Sequence, residues 1–223
     1  DLWIPVNVGT DAALAMAMAQ VIIHERLYRE GFLREQTDLP LLVRMDTHKF
    51  LREGDLKSDG RDDLYFFWDI KSDRFMEAPC LSLHLGDAVP ALEGTYRVMT
   101  LNGPVQVQPV FERLKSHLQD YTPEKVLPIT GVSPAVIRTL ARDIAQARTV
   151  TNVSTYNWGK FYHGHEIERA TILLFALCGH MGRNGAVYNA YTGNAADSLA
   201  GGQIPGVLVL RASASADPRY AEW

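Results

Sequence analysis

Residues 150–165 read VTNVSTYNWGKFYHGH, and the division of this stretch decides the fold. Its first part, from 149 to 155, is rich in β-branched residues and free of Pro and Gly, which suits a buried strand. Polar and aromatic residues with Gly159 and Gly164 then break the pattern. From Glu166 an apolar run follows (Ile167, Ala170, Ile172, Leu173, Leu174, Phe175, Leu177), long enough for a buried helix that ends at Gly179. Strand, short loop and buried helix make the unit whose loop holds a ligand in open α/β sheets. Just upstream, the spacing predicts a helix over 136–147 leading straight into the strand, an α-then-β step that belongs to a parallel sheet. Ser133-Pro134 opens that helix and Thr122-Pro123-Glu124 opens another, each a capping residue followed by Pro at the first helical position.

The same plan occurs near the start. Residues 3–8 read as a short strand, with Pro5 marking an edge. Gly9-Thr10-Asp11 then opens an Ala- and Met-rich helix over 12–26, with Thr10 as its cap. A second short helix is expected over 30–36 and an amphipathic one over 109–120. Between them the texture changes. Strand-like runs at 41–44, 64–68, 81–85 and 95–99, polar turns, and a hairpin signal at Asn102-Gly103 indicate a β-rich insertion. The expected fold is therefore α/β. A Rossmann-like parallel-sheet scaffold is drawn from 1–40 and 109–185, a β-rich insertion from 41–108, and an irregular, loop-rich tail from 186–223 with strand character only at 207–210. The ends read as those of an excerpt from a larger multidomain chain.

Composition narrows the function. A net charge of −4 with no basic run argues against a nucleic-acid binder. No apolar stretch reaches the roughly 18 residues a membrane span needs. Cys80 and Cys178 form no CxxC, which leaves no zinc ribbon and no iron–sulfur ligand set in these residues, and two buried free thiols are favoured over a disulfide.

Each of the two loops precedes a helix N-terminus, whose unpaired N–H groups and positive dipole end suit phosphate. Gly9 would let the backbone approach a ligand closely, although capping alone also explains Thr10 and Asp11. Two such loops suggest an extended, nucleotide-like cofactor. The spacing matches neither GxGxxG nor a P-loop, which disfavours a simple dinucleotide or ATP site. Lys160, set among Trp158, Phe161, Tyr162, His163 and His165, is suited to orienting an anion or donating a proton. A solvated lysine reads equally well from the residues alone. His163 and His165 lack a third metal ligand, so no metal site is assigned.

Several motifs together resemble the dimethyl sulfoxide reductase family of molybdopterin oxidoreductases. DLWIPV (1–6) with GTDAAL (9–14) and VIIHE (21–25) is similar to the segment entering that family's cofactor-binding domains. EQTDLPLLVR (35–44), FLR (50–52) and WD (68–69) resemble its type II branch. That branch includes nitrate, selenate and (per)chlorate reductases, dimethyl sulfide dehydrogenase, ethylbenzene dehydrogenase and steroid side-chain hydroxylases. ITGV (129–132), LAR (140–142) and ALCGHMGRNG (176–185) continue the likeness, while Val8 stands where the family usually has Pro.

The resemblance implies a fragment of a catalytic alpha subunit with molybdenum held by two molybdopterin guanine dinucleotides. Gly9, Thr10 and Asp11 would contact one guanine dinucleotide. Asn157, Trp158, Gly159, Lys160, His163 and Gly164 would approach the pterin and the metal pocket. Lys160 sits in a Gly-Lys-aromatic sequence like that of the hydrocarbon-hydroxylating members, where the lysine lies in the active site. Hydroxylation of a hydrocarbon or steroid is therefore the favoured activity, with oxyanion reduction as the alternative. The molybdenum-ligating Asp and an iron–sulfur cluster would lie in preceding sequence. The implied partners are an iron–sulfur electron-transfer subunit and, in this branch often, a haem subunit, in the periplasm. A reading of another class is a non-catalytic, degenerate α/β module.

Overall fold

In a computed structural model the structure describes residues 2–79, 85–154, 158 and 161–190. The molecule is built around helix α1 (Asp11–His24), which buries Ala15, Ala17, Met18, Ala19, Val21, Ile22 and Ile23 on nearly every face. Small side chains let neighbours come close, and Ile22 and Met18 fill the space between them. Around α1 lie α2 (Glu30–Gln36), α4 (Val110–His117) with a 3-10 turn (Leu118–Tyr121), α5 (Pro123–Thr130), α6 (Pro134–Gln146) and α7 (Gly164–Cys178). One apolar cluster joins Ile22, Leu33, Phe111, Val126, Ile137 and Leu177. The caps of α5 and α6 act as their sequence implies, whereas Thr10 makes no capping bond to α1. Thr122 accepts from the Lys125 amide and Ser133 from the Val136 amide, both at 3.4 Å, while Gly131 closes α5 and Gly179 closes α7 in the left-handed conformation.

The antiparallel strands lie between α2 and α4. A sheet of order β1–β5–β4 is formed by β1 (Leu42–Arg44), β4 (Tyr96–Thr100) and β5 (Gly103–Pro109). β2 (Phe66–Asp69) and β3 (Arg74–Glu77) form a separate hairpin around the expected turn at Lys71-Ser72-Asp73. A short helix, α3 (Glu53–Leu56), packs beside them. Their own small core is Leu42, Leu51, Phe66, Val98 and Val107. Buried Arg44 bonds both Asp46 and Asp55, which ties β1 to α3. The hairpin turn falls at Leu101-Asn102, one residue earlier than expected, with Gly103 at φ 103° opening β5.

Four expectations change. Among the described residues parallel pairing is confined to β6 (Thr151–Ser154) and β7 (Val187–Ala190), so the structure is a mixed α/β arrangement with one parallel pair. β6 is also not buried. Val153 is 81% exposed, because a two-stranded sheet covered by α7 leaves its other face open. Residues 2–8 form no strand. Among the described residues their backbone is tied down near Asn7, where the amide donates to Thr130 O at 2.9 Å, and Trp3 is 84% exposed. Finally, β7 occupies a stretch read as loop; Val187 and Tyr188 favour a strand, Asn189 and Ala190 do not, and pairing with β6 carries the strand through all four. The expected strands at 81–85 (bar its last residue) and 207–210, and Cys80, lie outside the described residues.

Candidate functional site

The two loops picked out by sequence meet in space. Gly9 adopts φ +82°, and a Cβ there would stand 3.8 Å from Phe161 Cδ1, an ordinary contact distance. The glycine is required by its left-handed backbone rather than by crowding. Beside the first loop opens a cavity of about 710 Å³. Its walls are the start of α1 (Gly9, Thr10, Ala13), the first turns of α7 (Glu166, Arg169) and Tyr121 with Ile129. A second cavity of about 370 Å³, between α2 and the β2–β3 hairpin, lies away from both loops.

Thr10 occupies the position before α1 but does not cap it. Its hydroxyl donates backward to Asn7 O at 2.7 Å, and no other side chain caps this terminus among the described residues. The Asp11 and Ala12 N–H groups, at the positive end of the α1 dipole, thus have no side-chain cap. Asn7 fixes this geometry. Its side-chain amide donates to Ile129 O at 2.9 Å, and its carbonyl accepts from both the amide and hydroxyl of Thr10. Sequence reasoning missed Asn7; the signal was a lone polar residue between Val6 and Val8.

The second loop enters α7 through short turns. The Phe161 amide donates to Trp158 O at 3.1 Å and the Gly164 amide to Phe161 O at 2.9 Å. His163, at φ 55°, precedes the helix, with Tyr162 edge-on at 4.0 Å. Its ring centroid lies 6.0 Å from that of His165, whose Nε2 sits 3.0 Å from Glu166. No three His, Cys, Asp or Glu side chains gather as metal ligands among the described residues. Arg169, another residue sequence reasoning passed over, presents an exposed guanidinium at the cavity, 3.8 Å from Glu166. Asn157, Gly159 and Lys160 lie outside the described residues.

An uncapped helix start, a glycine cradle and a nearby guanidinium suit an anionic, nucleotide-bearing ligand. The chain is 40% identical over 193 residues to the alpha subunit of dimethylsulfide dehydrogenase from Rhodovulum sulfidophilum, covering 84% of this chain and 21% of that one. It is 41% identical over 199 residues to chlorate reductase subunit alpha from Ideonella dechloratans, with 86% and 21% covered. It is 38% identical over 240 residues to perchlorate reductase subunit alpha from Dechloromonas aromatica, with 94% and 25% covered. The chain belongs to the dimethyl sulfoxide reductase family of molybdopterin oxidoreductases. These are enzymes whose catalytic subunits work with a molybdenum–molybdopterin cofactor. The chain spans only about a fifth to a quarter of the length of these relatives. No family model matches it. Among solved structures, acetylene hydratase from Pelobacter acetylenicus aligns with a TM-score of 0.47 and 22% identity, covering 83% of this chain and 16% of that one. No helix of the described residues is long and apolar enough to cross a membrane.

Proposed function

We propose that this chain is the part of an oxyanion-reductase catalytic subunit that holds one end of a bis(molybdopterin guanine dinucleotide) cofactor. The observation carrying this reading is the contact of the Gly9-Thr10-Asp11 loop with Phe161 of the α7 entry loop, beside a cavity walled by the starts of α1 and α7. The α1 N-terminus and Arg169 supply positive potential for a phosphate-bearing group, and Asp11 would accept from a base or sugar edge. The bound molybdenum centre would supply two-electron oxygen-atom transfer.

Two of the three relatives above are named for reducing chlorate or perchlorate and none for hydroxylating a hydrocarbon. Oxyanion reduction therefore replaces hydrocarbon or steroid hydroxylation as the preferred reading. Lys160 then serves as the cation that orients the anionic substrate. The oxyanion gives up one oxygen, which leaves as water with two protons and two electrons. The electrons come from an iron–sulfur partner subunit, with a haem subunit alongside, in the periplasm. An iron–sulfur cluster in sequence preceding these residues completes the path. Residues 1–40 and 109–185 form the cofactor scaffold and residues 41–108 the insertion. β6 and β7 belong to a larger Rossmann-like parallel sheet completed by the rest of the subunit.

Identity with dimethylsulfide dehydrogenase supports a second reading, oxidation of a thioether. Dye-linked assays of the full-length, partner-bound protein on chlorate, perchlorate and nitrate, against dimethyl sulfide and ethylbenzene, separate the readings. Oxyanion-dependent dye oxidation is expected. Turnover of ethylbenzene alone would restore hydroxylation. Lys160→Ala is expected to keep its molybdenum and lose about 10²-fold in kcat/KM or more.

A further inference from the structure

Asn7 joins the end of one helix to the start of another. The last turn of an α-helix leaves its carbonyls without partners inside the helix. At the end of α5, Asn7 satisfies two of them. Its backbone amide donates to Thr130 O at 2.9 Å and its side-chain amide to Ile129 O at 2.9 Å. Leu127 O accepts from the Gly131 amide at 2.9 Å. Gly131 stands at φ +75°, and a Cβ there would lie 3.3 Å from Asn7 Oδ1. The Asn7 carboxamide thus rests on a glycine that the helix end needs for its left-handed backbone. On its other side, the Asn7 carbonyl accepts from the Thr10 amide at 3.1 Å and the Thr10 hydroxyl at 2.7 Å.

These bonds tie together two walls of the cavity of about 710 Å³: Ile129 at the end of α5, and Gly9 with Thr10 at the start of α1. The apolar core holds the helices themselves, through Val126 of α5 and Met18 and Ile22 of α1. Ile4 and Val6 pack against that core, but Asn7, Gly9, Thr10 and Asp11 do not belong to it, and Asn7 is exposed. The position of the Gly9-Thr10-Asp11 loop relative to α5 is therefore set by hydrogen bonds, and Asn7 makes them in both directions.

We propose that Asn7 is a positioning residue for the cofactor: acting through the Gly9-Thr10-Asp11 loop, it fixes that loop against the end of α5 and so fixes the shape of the cavity that receives the nucleotide end. This rests on the cofactor reading given above. A loop already held in place has little freedom left to lose when a ligand arrives, so loss of the brace is felt as weaker retention of the ligand.

The test uses the full-length holoenzyme with Asn7→Ala, Asn7→Asp and Thr122→Ala. Asn7→Ala removes the bond to Ile129 O and keeps the backbone bonds. Asn7→Asp keeps the shape against Gly131 and sets an acceptor against the Ile129 carbonyl. Thr122→Ala removes the cap at the far end of α5 and measures what general loosening of that helix does. Release of guanine nucleotide and molybdenum at a fixed temperature below unfolding is followed together with hydrogen exchange at Thr10, Val21 and Ile22. One lost hydrogen bond changes an equilibrium about fivefold. Release from both Asn7 variants is expected to quicken by about that factor, with faster exchange at Thr10 and wild-type exchange at Val21 and Ile22. Thr122→Ala is expected to release at the wild-type rate. Wild-type release from both Asn7 variants would overturn the proposal. So would release that quickens equally in Thr122→Ala, or only in step with exchange at Val21 and Ile22. A wild type that carries no guanine nucleotide would overturn the cofactor reading itself, and the proposal with it.

Discussion

Gly9 and Phe161, from loops far apart in sequence, lie against each other, with Phe161 Cδ1 3.8 Å from where a Gly9 Cβ would stand. One loop starts α1 and the other leads into α7, and these two helices are the most extensively packed pair of helices among the described residues. The contact between the loops is thus a consequence of the core beneath them. Gly9→Ala would be strained by its φ of +82°, at about 1–2 kcal/mol. Amide exchange at Thr10, whose N–H donates to Asn7 O at 3.1 Å, should speed up accordingly. Unchanged protection would show that the loop does not depend on this conformation.

Asn7 is expected to matter through one side-chain bond. Asn7→Ala removes the donation to Ile129 O and leaves the Asn7 backbone bonds to Thr130 and Thr10 in place. The expected loss is about 1 kcal/mol of local stability, read as faster exchange at Thr10 with little effect at the buried centre of α1. Equal acceleration throughout α1 would mean that Asn7 supports the core rather than the loop.

The sequence made the helices and caps legible because their signals are local. Pro134 after Ser133, Gly131 after Thr130 and the apolar run ending at Gly179 each fix a boundary within a few residues. The strands were harder. Arg74–Glu77 and Val187–Ala190 are four-residue segments of mixed strand propensity, too short to stand out, and pair with Phe66–Asp69 and Thr151–Ser154. The stretch at 2–8 has strand-like residues and no partner, and it forms none. At the site, Gly9 and the α7 entry loop could be singled out from residue types. Arg169 could not, because its place at the cavity arises only from tertiary contacts, and Asn7 left only the faint signal of a lone polar residue between Val6 and Val8.

Asp69 gives the clearest pH dependence. Its carboxylate accepts from the Ser72 hydroxyl at 2.6 Å and from the Val89 amide at 2.7 Å, and these bonds hold its pKa down to about 2. The folded value lies below the unfolded one of about 3.9. The stabilisation is therefore fully present above that value and is lost as pH falls toward 2. Protection of the Ser72 and Val89 amides should exceed that of an Asp69→Asn variant at neutral pH, with the difference shrinking between about pH 4 and pH 2. A difference independent of pH would contradict the charged-acceptor role.

Cys178 is fully buried, and burial pushes its thiol up to about 11. Thiol alkylation depends on the thiolate and on access. The Cys178 peptide should stay unmodified by iodoacetamide in native protein near pH 7.5 and become labelled after denaturation. Rapid native labelling would mean that the packing of α7 against α1 opens readily.

The central claim is that the Gly9-Thr10-Asp11 loop helps to hold a guanine-nucleotide-bearing molybdenum cofactor. Its most direct test is molybdenum and acid-released guanine nucleotide, quantified on the same samples of full-length protein for wild type, Gly9→Val and Asp11→Ala. The account predicts two guanine nucleotides for each molybdenum in wild type and a clear loss of both in the two variants, with fold retained by circular dichroism. Wild-type loading in both variants, or a wild type that folds and carries no guanine nucleotide, would contradict it.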